Sequence, residues 1–316
     1  MFTLSDAAAM LRAADNILIV CHIRPDGDAA GSAGALCMAL RKLGKTAFVA
    51  PHERVMERFQ PYINPYFAPA DFVPRFIVSV DTPGAGQYPV GRGQLAAVTD
   101  LAIDHHGKNA AYAKHTYVEG DAAACGELIY LLLGELGVEP DAAMAEALYC
   151  ALSTDTGCFR TRATTARTMS IAGKLRETGF DAYTLTHRLF EVKTAARMKL
   201  EAAIGEAMEF PRPDTACVTV TRAMLERCGT VEDDLDKISM LLTVPEGVRF
   251  GLMLRELPDG LWKVSVRTDG SIHAGDIASI YPGGGGHADS GGAAVRGEAA
   301  VLMGELLARL DALRET

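Results

Sequence analysis

The sequence predicts an α/β protein: a doubly wound, mostly parallel sheet in the N-terminal part, then a smaller α/β domain. Three observations carry that expectation. Short apolar runs without alternation, at residues 17–20 and 75–80, need cover on both faces, as parallel strands do. These runs alternate with stretches of helical period. Near residue 205 the texture changes to strand-like segments separated by polar turns. The expected division is residues 1–188, a helical linker over 189–204, and residues 205–316.

In order, residues 4–14 read as an amphipathic helix with Ser5 or Asp6 near its start. The run Ile17-Leu-Ile-Val20 reads as a buried strand that opens into Cys21-His22-Ile-Arg-Pro25-Asp26-Gly27-Asp28. Pro25 and Gly27 make that loop turn, and a helix follows over about 29–43. Residues 46–50 form a second strand, and residues 75–80 a third that delivers Asp81. Residues 97–103 form a fourth strand that delivers Asp104-His105-His106. Helices follow over 121–136, ending at Gly137, and over 141–153, running into the polar turn Thr154-Asp155-Thr156-Gly157. Residues 163–178 and 181–190 complete a helical layer, and 193–206 reads as a charged connector. Beyond it, 217–221, 248–256 and 262–267 read as strands, 276–281 as a helical turn and 298–314 as a closing helix.

With 316 residues the chain can bury two cores. A net charge of −9 disfavours docking on long duplex nucleic acid, where phosphates reward a basic face. It leaves room for a small anion held locally. The seven cysteines form no C-x-x-C pair and read as reduced, small hydrophobes. Charges at Asp6, Arg12 and Asp15 argue against a signal peptide, and no apolar run approaches the ~18 residues of a membrane span. The expected setting is the cytoplasm, away from membranes.

Ligands of open α/β sheets bind beyond the carboxyl ends of strands. That edge would collect His22, Asp26, Asp28, Asp81, His105 and Asp155. Alone, an Asp-x-Asp is usually a solvated turn, a His-His pair surface decoration, and Asp81 or Asp155 a cap or Asx turn. Together, each following an apolar segment onto one edge, they point to metal binding. Imidazole with several carboxylates and no thiolate suits Mn²⁺ or another oxygen-preferring divalent ion. Six ligands suit two ions about 3.5–4 Å apart that share a carboxylate and activate a bridging water for phosphoryl chemistry. The run Gly283-Gly284-Gly285-Gly286-His287 reads as a nest of backbone N–H groups for an anion, with Arg267 on a preceding strand. Trp262 reads as core rather than as a stacking platform.

His22-x-x-Pro25-Asp26-Gly-Asp28, Asp81, Asp104-His105-His106 and Ser153-Thr-Asp155-Thr-Gly157 resemble the successive motifs of the DHH phosphoesterase superfamily. Ser265-Val-Arg267 and the glycine run with His287 resemble its DHH-associated substrate domain. The whole chain is most similar to the bacterial oligoribonuclease (nanoRNase) and phosphoadenosine-phosphate (pAp) phosphatase branch. The resemblance implies one ion on His22, Asp26 and Asp81, and a second on Asp28, Asp81, His105 and Asp155, with Asp81 as the bridge. It implies that Asp104 orients the histidines and that His106 meets the scissile phosphate. It implies that Arg267, Gly284, Gly285, Gly286 and His287 grip a terminal phosphate or base, with the active site in the cleft between the domains.

The expected activity is Mn²⁺-dependent hydrolysis of short oligonucleotides to mononucleotides and of pAp to AMP; a homodimer is compatible with it. Alternatives are a cyclic-dinucleotide pathway phosphodiesterase, a family II inorganic pyrophosphatase and a non-catalytic nucleotide-binding protein. The pyrophosphatase reading lacks its Arg-Lys-Lys cluster, since the one Arg-Lys pair is Arg41-Lys42 in the first helix. Thr268, Ala288 and Cys125 depart from the usual residues of the family at their positions.

Overall fold

A computed structural model describes residues 2–315 and divides the chain into two compact units, 1–192 and 193–316. In the first unit, α1 (Leu4–Ala13) is capped by Thr3, whose side chain accepts from the Asp6 N–H while Asp6 reaches back. Then come β1 (Ile17–Val20), α2 (Gly27–Lys42), β2 (Ala47–Val49), the single turn α3 (Gln60–Ile63), β3 (Phe76–Val80) and β4 (Leu101–Asp104). They are followed by β5 (His115–Val118), α4 (Cys125–Leu136), α5 (Ala142–Asp155), α6 (Ala166–Arg176) and α7 (Ala182–Thr186).

The five strands pair in parallel in the order β2-β1-β3-β4-β5. Strand order therefore reverses between β1 and β3, the switch point where open α/β sheets hold ligands. In β1, Ile17 and Ile19 face a core built with α1, α2 and α4, whereas Leu18 and Val20 face a smaller cluster with Tyr88 and Ala96. That second face is covered by short turns, including 3₁₀ turns at Ala85–Gln87 and Gly93–Val98.

Helix α2 begins at Gly27, two residues before its expected start, because Asp26 caps it by accepting from Asp28 N–H and Ala29 N–H. Gly27 has no substitute there: a Cβ would lie 2.3 Å from Thr154 Oγ1 of α5. Glycine and alanine let α2 and α5 pack backbone to backbone, which brings both helix ends to the same sheet edge. The expected turn at 154–157 is shorter than foreseen, since Thr154 and Asp155 are the last residues of α5.

The second unit holds α8 (Ala195–Ala207), β6 (Glu209–Arg212), β7 (Thr215–Val220), α9 (Arg222–Cys228), β8 (Phe250–Glu256) and β9 (Leu261–Thr268). It continues through α10 (Ala274–Ala278), β10 (Gly285–Gly286), β11 (Ser290–Arg296) and α11 (Ala299–Arg314). Its six-stranded sheet runs β10-β11-β9-β8-β7-β6, with only β7–β8 parallel. Alternation sorts the faces: Val264 and Val266 pack toward α11, while Lys263, Ser265 and Arg267 project from the other side. The stretch expected as a linker contributes Leu200 and Ile204 to this unit's core, so α8 is a packed element here. The seven cysteines are free thiols, six of them buried. Among the described residues no helix is long and apolar enough to cross a membrane.

Candidate metal centre

Each donor at the edge of the parallel sheet is delivered by the end of a regular element. His22 follows β1, Asp26 and Asp28 open α2, Asp81 follows β3, His105 and His106 follow β4, and Asp155 ends α5. His22 Nε2 lies 3.7 Å from Asp26 Oδ1 and 3.6 Å from Asp81 Oδ2. His105 Nε2 lies 3.6 Å from Asp28 Oδ2, 3.5 Å from Asp81 Oδ1 and 3.3 Å from Asp155 Oδ2. The structure thus brings together all six residues expected as ligands. Three overlapping trios have donor atoms mutually within 4.8 Å: His22/Asp26/Asp81, Asp28/His105/Asp155 and Asp81/His105/His106.

Asp81 is the hinge of the arrangement. Its φ of +51° is a left-handed conformation that Asp tolerates better than most side chains, held by its N–H donating to Ile103 O across the sheet. Its carboxylate is 2% exposed, yet Oδ1 has no hydrogen-bond donor. A buried anionic oxygen left bare beside three more carboxylates is what a cation would relieve.

Asp28 is wholly buried and sits at the N-terminus of α4, which has no side-chain cap. It accepts from Cys125 N–H at 2.6 Å, Gly126 N–H at 2.8 Å and Ser32 Oγ at 3.0 Å. Burial and the nearby Asp81 and Asp155 still push its carboxyl well above the usual range. For His105 and His22, burial opposes protonation, but the surrounding aspartates outweigh it. His22 rises to about 9, mainly through Asp26 and Asp81, and His105 to about 10, mainly through Asp81 and Asp28. His105 Nδ1 donates to Ala122 O at 3.2 Å, which leaves Nε2 as the nitrogen facing the carboxylates.

Asp104 lies one step behind. Its Oδ1 accepts from His106 Nδ1 at 2.7 Å and from the His105 N–H at 2.9 Å; its Oδ2 accepts from Asn109 at 2.7 Å. Burial would raise the Asp104 carboxyl, but the bonds from His106 and Asn109 hold it below its ordinary value. In return His106 is raised, burial being outweighed by Asp104 and Asp81.

A model of the DHH family, N-terminal domain, matches residues 16–152. The bifunctional oligoribonuclease and PAP phosphatase NrnA of Thermus thermophilus is 32% identical over 300 residues, covering 92% of this chain and 87% of the relative. This chain belongs to the DHH family. A Bacillus subtilis protein of the same name is 27% identical over 302 residues, covering 89% and 90%. Among solved structures, an exopolyphosphatase-related protein from Bacteroides fragilis superposes with a TM-score of 0.89 at 21% identity, covering 98% and 97%. The exonuclease RecJ bound to manganese superposes at 0.53 and 17% identity, covering 99% and 94%. These two likenesses show the fold.

The DHH site also uses groups that have no signature as side chains. The N–H groups of Cys125 and Gly126 open α4 and the carbonyl of Ala122 lies in the loop just before it, and this loop and first turn position both Asp28 and His105. Glu127, 0% exposed, fastens the loop: it accepts from the Ala123 N–H at 3.3 Å, from Thr168 Oγ1 at 2.9 Å and from Arg167 Nε. Arg167 in turn meets Glu119 at 2.6 Å. An acidic residue two positions into an apolar helix was the available signal for Glu127.

The remaining expected residues lie in the second unit. Arg267, on β9, is half-buried, donates to Ser239 Oγ at 3.1 Å and lines a cavity with Gly285 and Gly286. The glycine run differs from an open anion nest. The Gly284 N–H donates to Tyr281 O and the His287 N–H to Ser290 O, while Gly285 and Gly286 pair with Gly292 and Gly291. These glycines are required by contact: a Cβ on Gly284 would stand 2.0 Å from Ala278 O. His287 is exposed. Trp262 packs on the core side, as expected, and its Nε1 donates to Gly297 O at 3.1 Å.

Proposed function

We propose that this protein is a two-metal phosphoesterase that hydrolyses very short oligonucleotides to nucleoside monophosphates and pAp to AMP. The observation that carries the reading is the bare, buried Oδ1 of Asp81 among imidazoles and carboxylates arranged as two trios sharing Asp81. In this reading His22, Asp26 and Asp81 hold one divalent ion, and Asp28, Asp81, His105 and Asp155 the other. The all-oxygen-and-imidazole donor set favours Mn²⁺. Bound ions would lower the pKa of a water and offset charge on the phosphoryl oxygens.

The chain's own groups supply the rest. His106 holds a proton on Nδ1 against Asp104, and its raised basicity favours a second proton on Nε2. As the water oxygen bonds to phosphorus and the P–O ester bond breaks, His106 Nε2 gives its proton to the leaving oxygen. Asp104 stabilises the cationic ring before that transfer. Arg267 and His287 bind the phosphate or base remote from the reacting bond, so Arg267→Ala raises KM more than it lowers kcat. The relatives named oligoribonuclease and PAP phosphatase support this substrate class.

The test incubates purified protein and Mn²⁺ with equal pApA, pAp, cyclic dinucleotide and pyrophosphate, resolved over time. Rapid loss of pApA and pAp with the other two untouched is expected. Selective loss of pyrophosphate or of the cyclic dinucleotide would replace the proposal.

A further inference from the structure

Helix α5 must present the Asp155 carboxylate and then stop, and the chain stops it with an uncommon backbone. Gly157, Cys158 and Phe159 have φ of +56°, +63° and +62°, a left-handed turn just beyond the last donor of the metal centre. Glycine adopts this region freely, whereas for cysteine and phenylalanine it is strained. Such strain persists only where the surroundings impose it.

The imposing contacts converge on Thr156, which is wholly buried. Its Oγ1 donates to Leu152 O at 2.6 Å and accepts from the Phe159 N–H at 2.9 Å. Its carbonyl accepts from the Arg160 N–H at 2.9 Å and the Thr161 N–H at 3.1 Å. The hydroxyl therefore joins the last turn of α5 to the far end of the left-handed turn, and the carbonyl gathers the two residues beyond it. Other contacts are added around this hub. The Cys158 N–H donates to Ser153 O at 2.6 Å, and the Phe159 ring meets Tyr149 edge-on with centroids 5.4 Å apart.

Asp155 is the neighbour of this hub. Its Oδ2 lies 3.3 Å from His105 Nε2, nearer than the oxygens of Asp28 and Asp81. Its side chain is 24% exposed, against 1% for Asp28 and 3% for Asp81. Enclosure fixes the other two carboxylates far more than it fixes Asp155, so the backbone that carries Asp155 has more to do.

We infer that Thr156 is a positioning residue for the metal centre: its hydroxyl holds the strained left-handed turn and so sets where α5 presents Asp155. The inference rests on the proposed metal-dependent function and adds to it a residue that acts through Asp155. Without the hydroxyl, the strained turn relaxes and the adjoining donor moves with it.

The experiment titrates Mn²⁺ into the full chain by calorimetry, well below the melting temperature, where a modest loss of global stability leaves the protein folded. Thr156→Val keeps the shape and removes the hydroxyl; Mn²⁺ affinity is expected to fall about tenfold, as when a group that orients a ligand is lost. Thr156→Ser keeps the hydroxyl and is expected to stay within about threefold of the parent. Position 158, which is partly exposed, tests the strain with the hydroxyl in place. Cys158→Gly suits the positive φ, so it should keep or raise the melting temperature and hold Mn²⁺ affinity at the parent value. Cys158→Val puts a β-branched residue there and should weaken Mn²⁺ binding. Parental affinity in Thr156→Val, even with a lowered melting temperature, overturns the inference, because the hydroxyl then supports the fold alone. Equal losses in Thr156→Val and Thr156→Ser overturn it as well. Should Thr156→Val fail to fold, position 158 decides, and equal affinities of Cys158→Gly and Cys158→Val overturn it. A parent protein that does not bind Mn²⁺ would instead overturn the proposed function, and the inference with it.

Discussion

The metal-centre residues of the first unit and the cavity of the second are mirror images in charge. The first gathers Asp26, Asp28, Asp81 and Asp155 around imidazoles, with Asp28 and Asp81 almost fully buried. The second gathers Arg255, Lys263 and Arg267 on the neighbouring strands β8 and β9, with Lys237 on the segment beside them. In the first, carboxylates are brought together where water screens them poorly, and the imidazoles between them offset part of the repulsion. In the proposed function, divalent ions relieve the first. Their difference lies in how rigidly the charges are held. Asp28 and His105 are tied to backbone groups of residues 122–126, where a loop runs into α4, whereas Lys263 is an exposed side chain on a strand.

The largest expected effect comes from breaking the acidic cluster. Asp81→Asn keeps the side-chain shape, and Asn tolerates a positive φ as Asp does. Turnover is expected to fall by about three orders of magnitude or more, since the proposed function makes Asp81 the ligand shared by both ions. Melting of the metal-free variant near pH 7 should be lower than that of the metal-free parent, because a carboxylate that helps hold the protons on His22 and His105 is gone. A variant that melts no lower without metal would show that Asp81 does not support the fold through those imidazoles.

Next in size is the fastening of the loop. Glu127→Gln removes the charge that faces Arg167 and weakens the tie between the 122–126 loop and α6. A loss of about 2 kcal/mol in unfolding free energy is expected, together with a drop of about tenfold in divalent-metal affinity. Denaturant melts and metal titration by calorimetry separate the two effects. Loss of stability with unaltered metal affinity would mean that the loop holds its shape without Glu127.

The pH dependence comes third. Without metal, His22 near 9 and His105 near 10 bind protons more tightly folded than unfolded. That stabilisation is complete below about pH 6.5, the ordinary histidine value, and is lost as pH rises through 9 to 10. The raised carboxyl of Asp28 has the same sign, disfavouring the folded state as it ionises. Metal-free protein should therefore melt progressively lower from pH 7 to 10, and metal-loaded protein much less so. Metal binding at pH 7 should release protons, seen as a binding heat that varies with buffer ionisation enthalpy. A melting temperature that is flat with pH without metal would remove the electrostatic account of the cluster.

Much of this was legible in the sequence for a simple reason. Strands β1, β3 and β4 are continuous apolar runs, and a polar residue directly after such a run must emerge at the sheet edge, as His22, Asp81 and His105 do. Strand β5 was missed because it is short and partly exposed, with His115 and Thr116 giving no apolar run. Strands β10 and β11 were missed because Ser290-Gly-Gly-Ala-Ala resembles a loop in composition. Those glycines mark close approach of backbones instead of flexibility. The loop donors to Asp28 are backbone N–H groups, which every residue but proline has, so no residue type announces them. The facing of Arg255 and Lys263 depends on register, which sequence alone leaves open.

The smallest expected effect tests the division of labour across β9 itself. Residues 263, 265 and 267 line the cavity, while Trp262 falls on the alternate face, packs against the second unit's core and donates to Gly297 O. Trp262→Phe keeps most of the apolar contact and removes that donor, so it should cost about 1 kcal/mol of stability. KM for every nucleotide should stay at the parent value. A rise in KM for Trp262→Phe would place a base on the indole and transfer part of the binding from the cationic face of the strand to its apolar one.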